Sequence, residues 1–289
     1  MKLEDDIRLR GLSDETFAEY IKDVQIFLRH IRNKNLEDCD EKDIRDFLMY
    51  LLDVKKLSNG TVNRYNSSLR FLFGFTMERN LNYRMIPRMK IVRPLPDIMS
   101  KDQIEKLFSA CDNLRDKAIL MTIYGGGLRL SEVCNLKGGD IHASTMRIKI
   151  RDGKGGKDRF TILSSKNLEV LTEYYKGYKP RHPEGFLFLT KQGRPVSKKC
   201  VQDIFKKTAK RAGIPGSFSP HTLRHDFATH LLQAGNDVCQ IKKLLGHTHI
   251  QSTTFYLHLL EFDGSLKSPL DDLGEAGNCG GAAGGGDDA

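Results

Sequence analysis

The chain is organised around the segment Ser219-Pro-His221-Thr-Leu223-Arg224-His-Asp-Phe227-Ala-Thr-His230-Leu231-Leu232. Read as a helix, it sets His221 and Arg224 three residues apart on one face. Leu223, Phe227, Leu231 and Leu232 form the opposite, buried stripe. A polar His/Arg pair beside such a stripe marks a site held rigid by packing. The stretch continues through Gln-Ala-Gly-Asn-Asp237 and a short apolar-basic run to Leu-Leu-Gly-His247-Thr-His249. It closes on Ser-Thr-Thr-Phe-Tyr256.

Upstream, the periodicity predicts helices and little else. Residues 13–33 carry Phe17, Tyr20, Ile21, Val24, Phe27, Leu28 and Ile31 at spacings of three and four, with Ser13 or Asp14 as cap. Residues 41–56 and 61–80 repeat the pattern, separated by Asn59-Gly60, read as a breaker. Pro87, Pro94 and Pro96, interleaved with Arg84, Arg88, Lys90 and Arg93, give residues 82–97 the character of a basic, extended linker. It either follows a phosphate backbone or is a solvated connector. A second block opens at the capping box Ser100-x-x-Gln103. A helix over 114–124 ends at Gly125-Gly-Gly127, and Leu128 to Val133 starts another. Residues 146–151 alternate as a half-buried strand, turn at Gly153-Lys154-Gly-Gly-Lys157, and return over Arg159–Leu163. Helices over 165–178 and 197–212 flank a short strand at Phe186–Leu189.

The expected fold is therefore mainly α (α+β): an N-terminal helical bundle, then a mostly helical domain with a small antiparallel sheet. The boundaries are 1–81 for the bundle, 82–97 for the linker and 98–263 for the second domain. Residues 264–289, rich in Gly, Ala and Asp, make a tail expected to be disordered.

The formal net charge is +9 over 289 residues. It is concentrated in residues 98–263, with 27 Lys/Arg against 16 Asp/Glu, while residues 1–97 hold 18 against 16. A basic block of that kind favours a polyanion such as nucleic acid. The six cysteines are scattered, with no C-x-x-C and no zinc-finger spacing. Together with a charged N-terminus and no long apolar run, they lead to the expectation of a reduced, cytoplasmic protein without a membrane segment. The glycines at 125–127 lack the Walker pattern, and no GxGxxG follows a strand, so no nucleotide cofactor is expected. No H-E-x-x-H is present and no metal is expected.

Arg129 stands in an apolar context with Glu132 three residues on: either a structural pair or part of a site. Lys154 is an exposed turn residue or a mobile functional one. Arg129, Arg224, His221, His247, Lys154 and Tyr256 suit a phosphodiester anion, because guanidinium forks bind phosphate oxygens. A tyrosine with an ordinary pKa of about 10 acts as a nucleophile only beside such cations. His225, His230, His249 and His258 read as structural or solvent-facing residues, and Tyr124, Tyr174 and Tyr175 as core or surface aromatics.

Gly-Gly-Leu-Arg129-Leu-Ser-Glu132, the turn Gly-Lys154-Gly-Gly-Lys157-Asp-Arg159, His221-Thr-Leu-Arg224-His-Asp-Phe-Ala-Thr-His-Leu-Leu, Leu-Leu-Gly-His247 and Ser-Thr-Thr-Phe-Tyr256 resemble, in order and spacing, the tyrosine recombinase (phage integrase, Xer-like) family. The resemblance implies a site-specific recombinase of DNA. Tyr256 would form a 3′-phosphotyrosine, with Arg129, His221, Arg224 and His247 on the phosphate, Lys154 as general acid and Glu132 in support. Neither metal nor cofactor would be needed. The partners implied are double-stranded DNA with paired recombinase arms and a tetramer on that DNA, for integration, excision or resolution by a mobile element or phage. Arg84, Arg88, Lys90, Arg93, Lys157 and Arg159 are the expected DNA contacts. Lys157 is also the alternative to Lys154 on the same turn. A type IB topoisomerase and a non-catalytic DNA-binding protein on the same scaffold are the alternatives.

Overall fold

A computed structural model describes residues 2–32, 34–91, 97–151, 158–214 and 218–246. The chain divides into two compact units, Met1–Pro94 and Leu95–Ala289.

Side-chain caps set the helix starts of the first unit. Ser13 accepts from the Thr16 N–H ahead of α2 (Asp14–Ile31), and Asp40 and Asp43 form a capping box ahead of α3 (Glu41–Asp53). Ser58 accepts from the Thr61 N–H and opens α4 (Asn59–Phe71). Asn59-Gly60, expected as a breaker, is thus the first turn of a helix. The N–H groups there have no partner within the helix in any case, so a strong cap outweighs two weak helix formers. A short α1 (Lys2–Leu9), not foreseen from periodicity, buries Ile7 completely. Phe27, Phe47 and Phe73 are fully buried and meet edge to face at 5.3 and 5.9 Å between ring centres. α4 passes directly into a π-helical segment, Leu72–Thr76.

Residues 82–90 are not a free connector. The face of α4 carrying Asn59, Asn63, Asn66 and Arg70 holds them as a strap. Asn63 makes a two-way pair with Met89, donating to its carbonyl and accepting from its N–H, both at 2.8 Å. Asn59 donates to the Lys90 carbonyl, and Asn66 to the carbonyls of Ile86 and Pro87. Arg70 donates to the Ile86 carbonyl at 2.5 Å, and its guanidinium lies 4.5 Å from the centre of the Tyr83 ring. Ile86 is buried beneath the strap, while Arg84, Arg88 and Lys90 point outward and are exposed. Replacing Asn63 by Ala strips both bonds from Met89. A loss of about 1–3 kcal/mol is expected in denaturant unfolding, with faster tryptic cleavage after Arg88 and Lys90. Unchanged values of both would show that the asparagines do not hold the strap.

In the second unit, Ser100 and Gln103 form both bonds of the expected capping box ahead of α5 (Lys101–Ser109). α6 (Leu114–Gly126), apolar beyond its charged first turn Arg115-Asp116-Lys117, packs between α8 (Ser165–Tyr178) and α10 (Pro220–Gln233). The sheet has the order β1 (Ile141–His142), β2 (Arg147–Ile150), β3 (Arg159–Ile162), all antiparallel. β1 was not expected. The anticipated strand at Phe186–Leu189 is absent: Phe186 bridges Lys137 and Leu189 bridges Pro195, so its two ends pair with different partners and no ladder forms. α7 (Leu130–Cys134), α9 (Lys198–Arg211) and α11 (Val238–Leu245) complete the unit. Tyr174 is a core aromatic whose hydroxyl donates to the Leu187 carbonyl, and Tyr175 is exposed. The tail at 264–289 lies outside the described residues.

Candidate active site

The site is built around one carboxylate. Arg129 sits at the start of α7, where Glu132 accepts its backbone N–H at 2.7 Å and closes the first turn. The Arg129 Nη1 also donates to Glu132 Oε1 at 2.7 Å. From β3, Arg159 donates Nη1 to Oε1 at 2.7 Å and Nη2 to Oε2 at 2.8 Å. From α10, the Arg224 guanidinium stands 3.6 Å from Oε2. Three guanidinium groups therefore surround a carboxylate whose side chain is only 5% exposed. Burial alone would raise Glu132, but the hydrogen bonds and charge of Arg159, the Arg129 N–H and the charge of Arg224 bring it down to about 2.

The same three arginines fasten the end of α11. Arg159 Nε donates to the Leu244 carbonyl at 2.9 Å, Arg224 Nη2 to Leu245 at 2.7 Å, and Arg129 Nη2 to Gly246 at 3.3 Å. These are consecutive carbonyls at a helix C-terminus, where partners are lacking and the dipole favours cations. Two glycines make the approach possible. Gly246 ends α11 at φ +64°, and a Cβ there would lie 2.7 Å from Arg159 Cδ. Gly127 ends α6 at φ +61°, where a Cβ would run into the Phe227 ring; its carbonyl accepts from Arg224 Nη1 at 2.5 Å.

His221 lies one turn before Arg224 on α10 and is exposed. Desolvation and the neighbouring Arg224 charge lower its pKa from the ordinary histidine value. His225 is shifted the same way by burial, His221 and Arg224. Arg224 itself is 5% exposed, so it lies with the apolar side of α10 and not on an open polar face. His230 receives or gives a hydrogen bond at 2.9 Å with the Tyr124 hydroxyl, fixing both as structural groups. Asp226, not singled out from the sequence, is fully buried and accepts from the Met99 N–H at 3.0 Å; burial raises it to about 7.

Of the residues expected in a site, the fold brings Arg129, Glu132 and Arg224 together and places His221 one helical turn away. Lys154, Lys157, Arg93, His247 and Tyr256 lie outside the described residues. Arg84, Arg88 and Lys90 belong to the first unit. Arg159, expected at the DNA surface, is turned inward: its side chain is 10% exposed and its Nε, Nη1 and Nη2 are all engaged. No group of three or more His, Cys, Asp or Glu able to hold a metal occurs among the described residues. None of the described helices is long and apolar enough to cross a membrane.

Residues 97–261 match the Phage integrase family, and residues 1–83 match the Phage integrase, N-terminal SAM-like domain. The chain belongs to the phage integrase family. It is a tyrosine-type site-specific recombinase. A putative integrase/recombinase of Sinorhizobium fredii, y4qK, is 35% identical over 89% of this chain and 83% of its own. The tyrosine recombinase XerA of Pyrococcus horikoshii is 34% identical over 86% of this recombinase and 85% of its own length. A crystal structure of XerA recombinase aligns with a TM-score of 0.55 at 26% identity, covering 90% of this chain and 93% of that one. A lambda integrase (75-356) dimer bound to a COC' core site aligns at 0.73 with 17% identity over 92% and 95%, which places the recombinase in the same fold.

Proposed function

We propose that this recombinase cleaves and rejoins double-stranded DNA through a 3′-phosphotyrosine on Tyr256. The observation that carries the reading is the charge of the buried cluster: three guanidinium groups are balanced by the single carboxylate of Glu132. Two positive charges remain in a partly desolvated place, and a phosphodiester and its more charged transition state are anions of matching size.

In this chemistry the Tyr256 oxygen attacks the phosphorus, and the bond to the 5′ oxygen breaks. The phenolic proton leaves to a neighbouring base such as His221, and the 5′ oxygen takes a proton from Lys154. Arg129, Arg224, His221 and His247 hold the phosphate oxygens. The phosphotyrosine conserves the energy of the broken bond, so a 5′-hydroxyl reverses the step on a new strand. Neither a metal nor a nucleotide enters the scheme. Arg129, with its side chain 23% exposed, is the arginine of the cluster most open to a ligand. The first unit serves as the core-binding domain, with Arg84, Arg88, Lys90 and Arg93 along the DNA backbone. The working assembly is a tetramer on paired arms, in integration, excision or resolution for a mobile element or phage. The relatives named integrase and XerA support that class of reaction.

The test is a duplex nicked close to the cleavage position, so that the released fragment diffuses away. Wild-type protein is expected to accumulate a DNA-linked species on a denaturing gel, without added metal or nucleotide. The same experiment run at increasing salt is expected to show binding weakening steeply, as phosphate contacts release counterions. Binding without any linked species, across duplexes that carry the natural site, would overturn the proposal.

A further inference from the structure

We infer that Arg159 is a positioning residue for the reaction: it occupies Glu132 side-on and ties β3 to the end of α11, so that Arg129 and Arg224 keep their places for the phosphate. The inference rests on the proposed reading that those two arginines bind the phosphate.

The geometry gives Arg159 no face for DNA. Nη1 and Nη2 take both oxygens of Glu132 at 2.7 and 2.8 Å, and Nε takes the Leu244 carbonyl. A fork on a carboxylate in this way is the strongest arrangement an arginine makes. Its consequence falls on Arg224. That guanidinium stays 3.6 Å from Glu132 Oε2, within ionic reach but outside hydrogen-bond distance, and donates to the Gly127 and Leu245 carbonyls instead. With Arg159 gone, Oε2 would keep only the Arg129 N–H, and the nearest cation able to close on it is Arg224. The carboxylate would then neutralise a phosphate-binding arginine. Burial, no longer offset by Arg159, would also raise Glu132 from about 2.

Position adds a second role. Arg159 pairs with Ile150 at the last rung of the hairpin, next to the turn that holds Lys154 and Lys157. Its other end sits in the crook of Gly246, where any side chain would strike it. Gly246 directly precedes His247 in the sequence. One side chain therefore joins the root of the hairpin, the carboxylate and the last turn before His247.

Single-turnover cleavage of the nicked duplex is measured from pH 4.5 to 9 at saturating DNA, for wild type, Arg159→Gln and Arg159→Lys. For Arg159→Gln we expect a fall of about 10–100-fold in the cleavage rate at pH 7.5, with affinity for DNA held within about threefold. We also expect the acid limb of the profile to move upward as Glu132 begins to take a proton. The groups facing Glu132 are the guanidinium groups of Arg129, Arg159 and Arg224. His221 and His225 titrate in both proteins, so the difference between profiles is the readout. Arg159→Lys, which keeps the charge without the fork, is expected to recover part of the rate and most of the profile. A residue that merely contacts phosphate gives the opposite pattern: weaker binding and a salt slope shallower by about 1. That pattern, or a full cleavage rate in Arg159→Gln, overturns the inference. If Arg159→Gln shows no cooperative thermal transition, Arg159→Lys is read by the same criteria. A wild-type protein that forms no linked species overturns both this inference and the proposed chemistry, whereas cleavage at full rate by wild type and variant alike overturns the inference alone.

Discussion

Tyr256→Phe is expected to form no DNA-linked species with the nicked duplex, while its affinity for that duplex stays within about threefold of wild type. The change removes one oxygen. Binding of a polyanion draws on many phosphate contacts at once, so a single phenol contributes little to it. In the proposed chemistry cleavage depends on that oxygen entirely, and no other nucleophile is proposed. The rate is expected to fall by on the order of 10⁴-fold or more, since losing the attacking group of a covalent mechanism removes the step itself. A linked species in the Phe variant would move the nucleophile to another residue. Loss of DNA binding in step with loss of cleavage would place Tyr256 in the binding surface and not in the chemistry.

Glu132→Ala is expected to be the most damaging change among the described residues of the second unit. It leaves three guanidinium groups facing one another with no carboxylate, two of them with side chains no more than 10% exposed. Breaking a buried ion pair by removing one partner costs about 3–5 kcal/mol, because the remaining charges stay desolvated. Urea unfolding of the full chain at pH 7.5 should show a loss of that size. The pH dependence carries an independent signature. Glu132 lies at about 2 in the folded chain against an ordinary value of 4.5. A depressed carboxylate stabilises the fold fully above its unfolded pKa, and that stability drains away as pH falls through 4.5 toward 2. The amount at neutral pH is on the order of 3 kcal/mol. The alanine variant should lack this share of the acid loss, and its stability should fall less steeply than wild type below pH 4.5. Equal slopes would mean that Glu132 is not the group holding the cluster together.

Much of the architecture was legible because it rests on local rules. The helix over 13–33, the capping box at Ser100, the glycine stop at Gly127 and the hairpin from Arg147 to Ile162 each follow from spacing and cap chemistry within a few residues. Misreadings fell where a local rule was outvoted. Asn59-Gly60 punctuates as a breaker, yet Ser58 turned it into a helix start. The run 82–90 has a linker's composition, but its backbone groups found partners on α4. Asn59, Asn63, Asn66 and Arg70 recur at helical spacing, which was the available signal; a polar stripe reads as a solvated face unless the strand of chain lying on it is known.

Five motifs in order, three of them between Ser219 and Tyr256, carried the resemblance to the family and the residue types that suit a phosphodiester anion, since those are matters of identity and order. Sequence placed Arg129 and Glu132 together because they are three residues apart on one helical start. It could not place Arg159, because an arginine at the base of a hairpin is equally suited to DNA outside and to a carboxylate inside. Only the tertiary structure chose, by bringing β3, α7 and the last turn of α11 to the same carboxylate. The physical reason is range: caps and periodicities act over one turn of chain, whereas the charge balance of a buried cluster is settled by groups that are distant in sequence and meet only on folding.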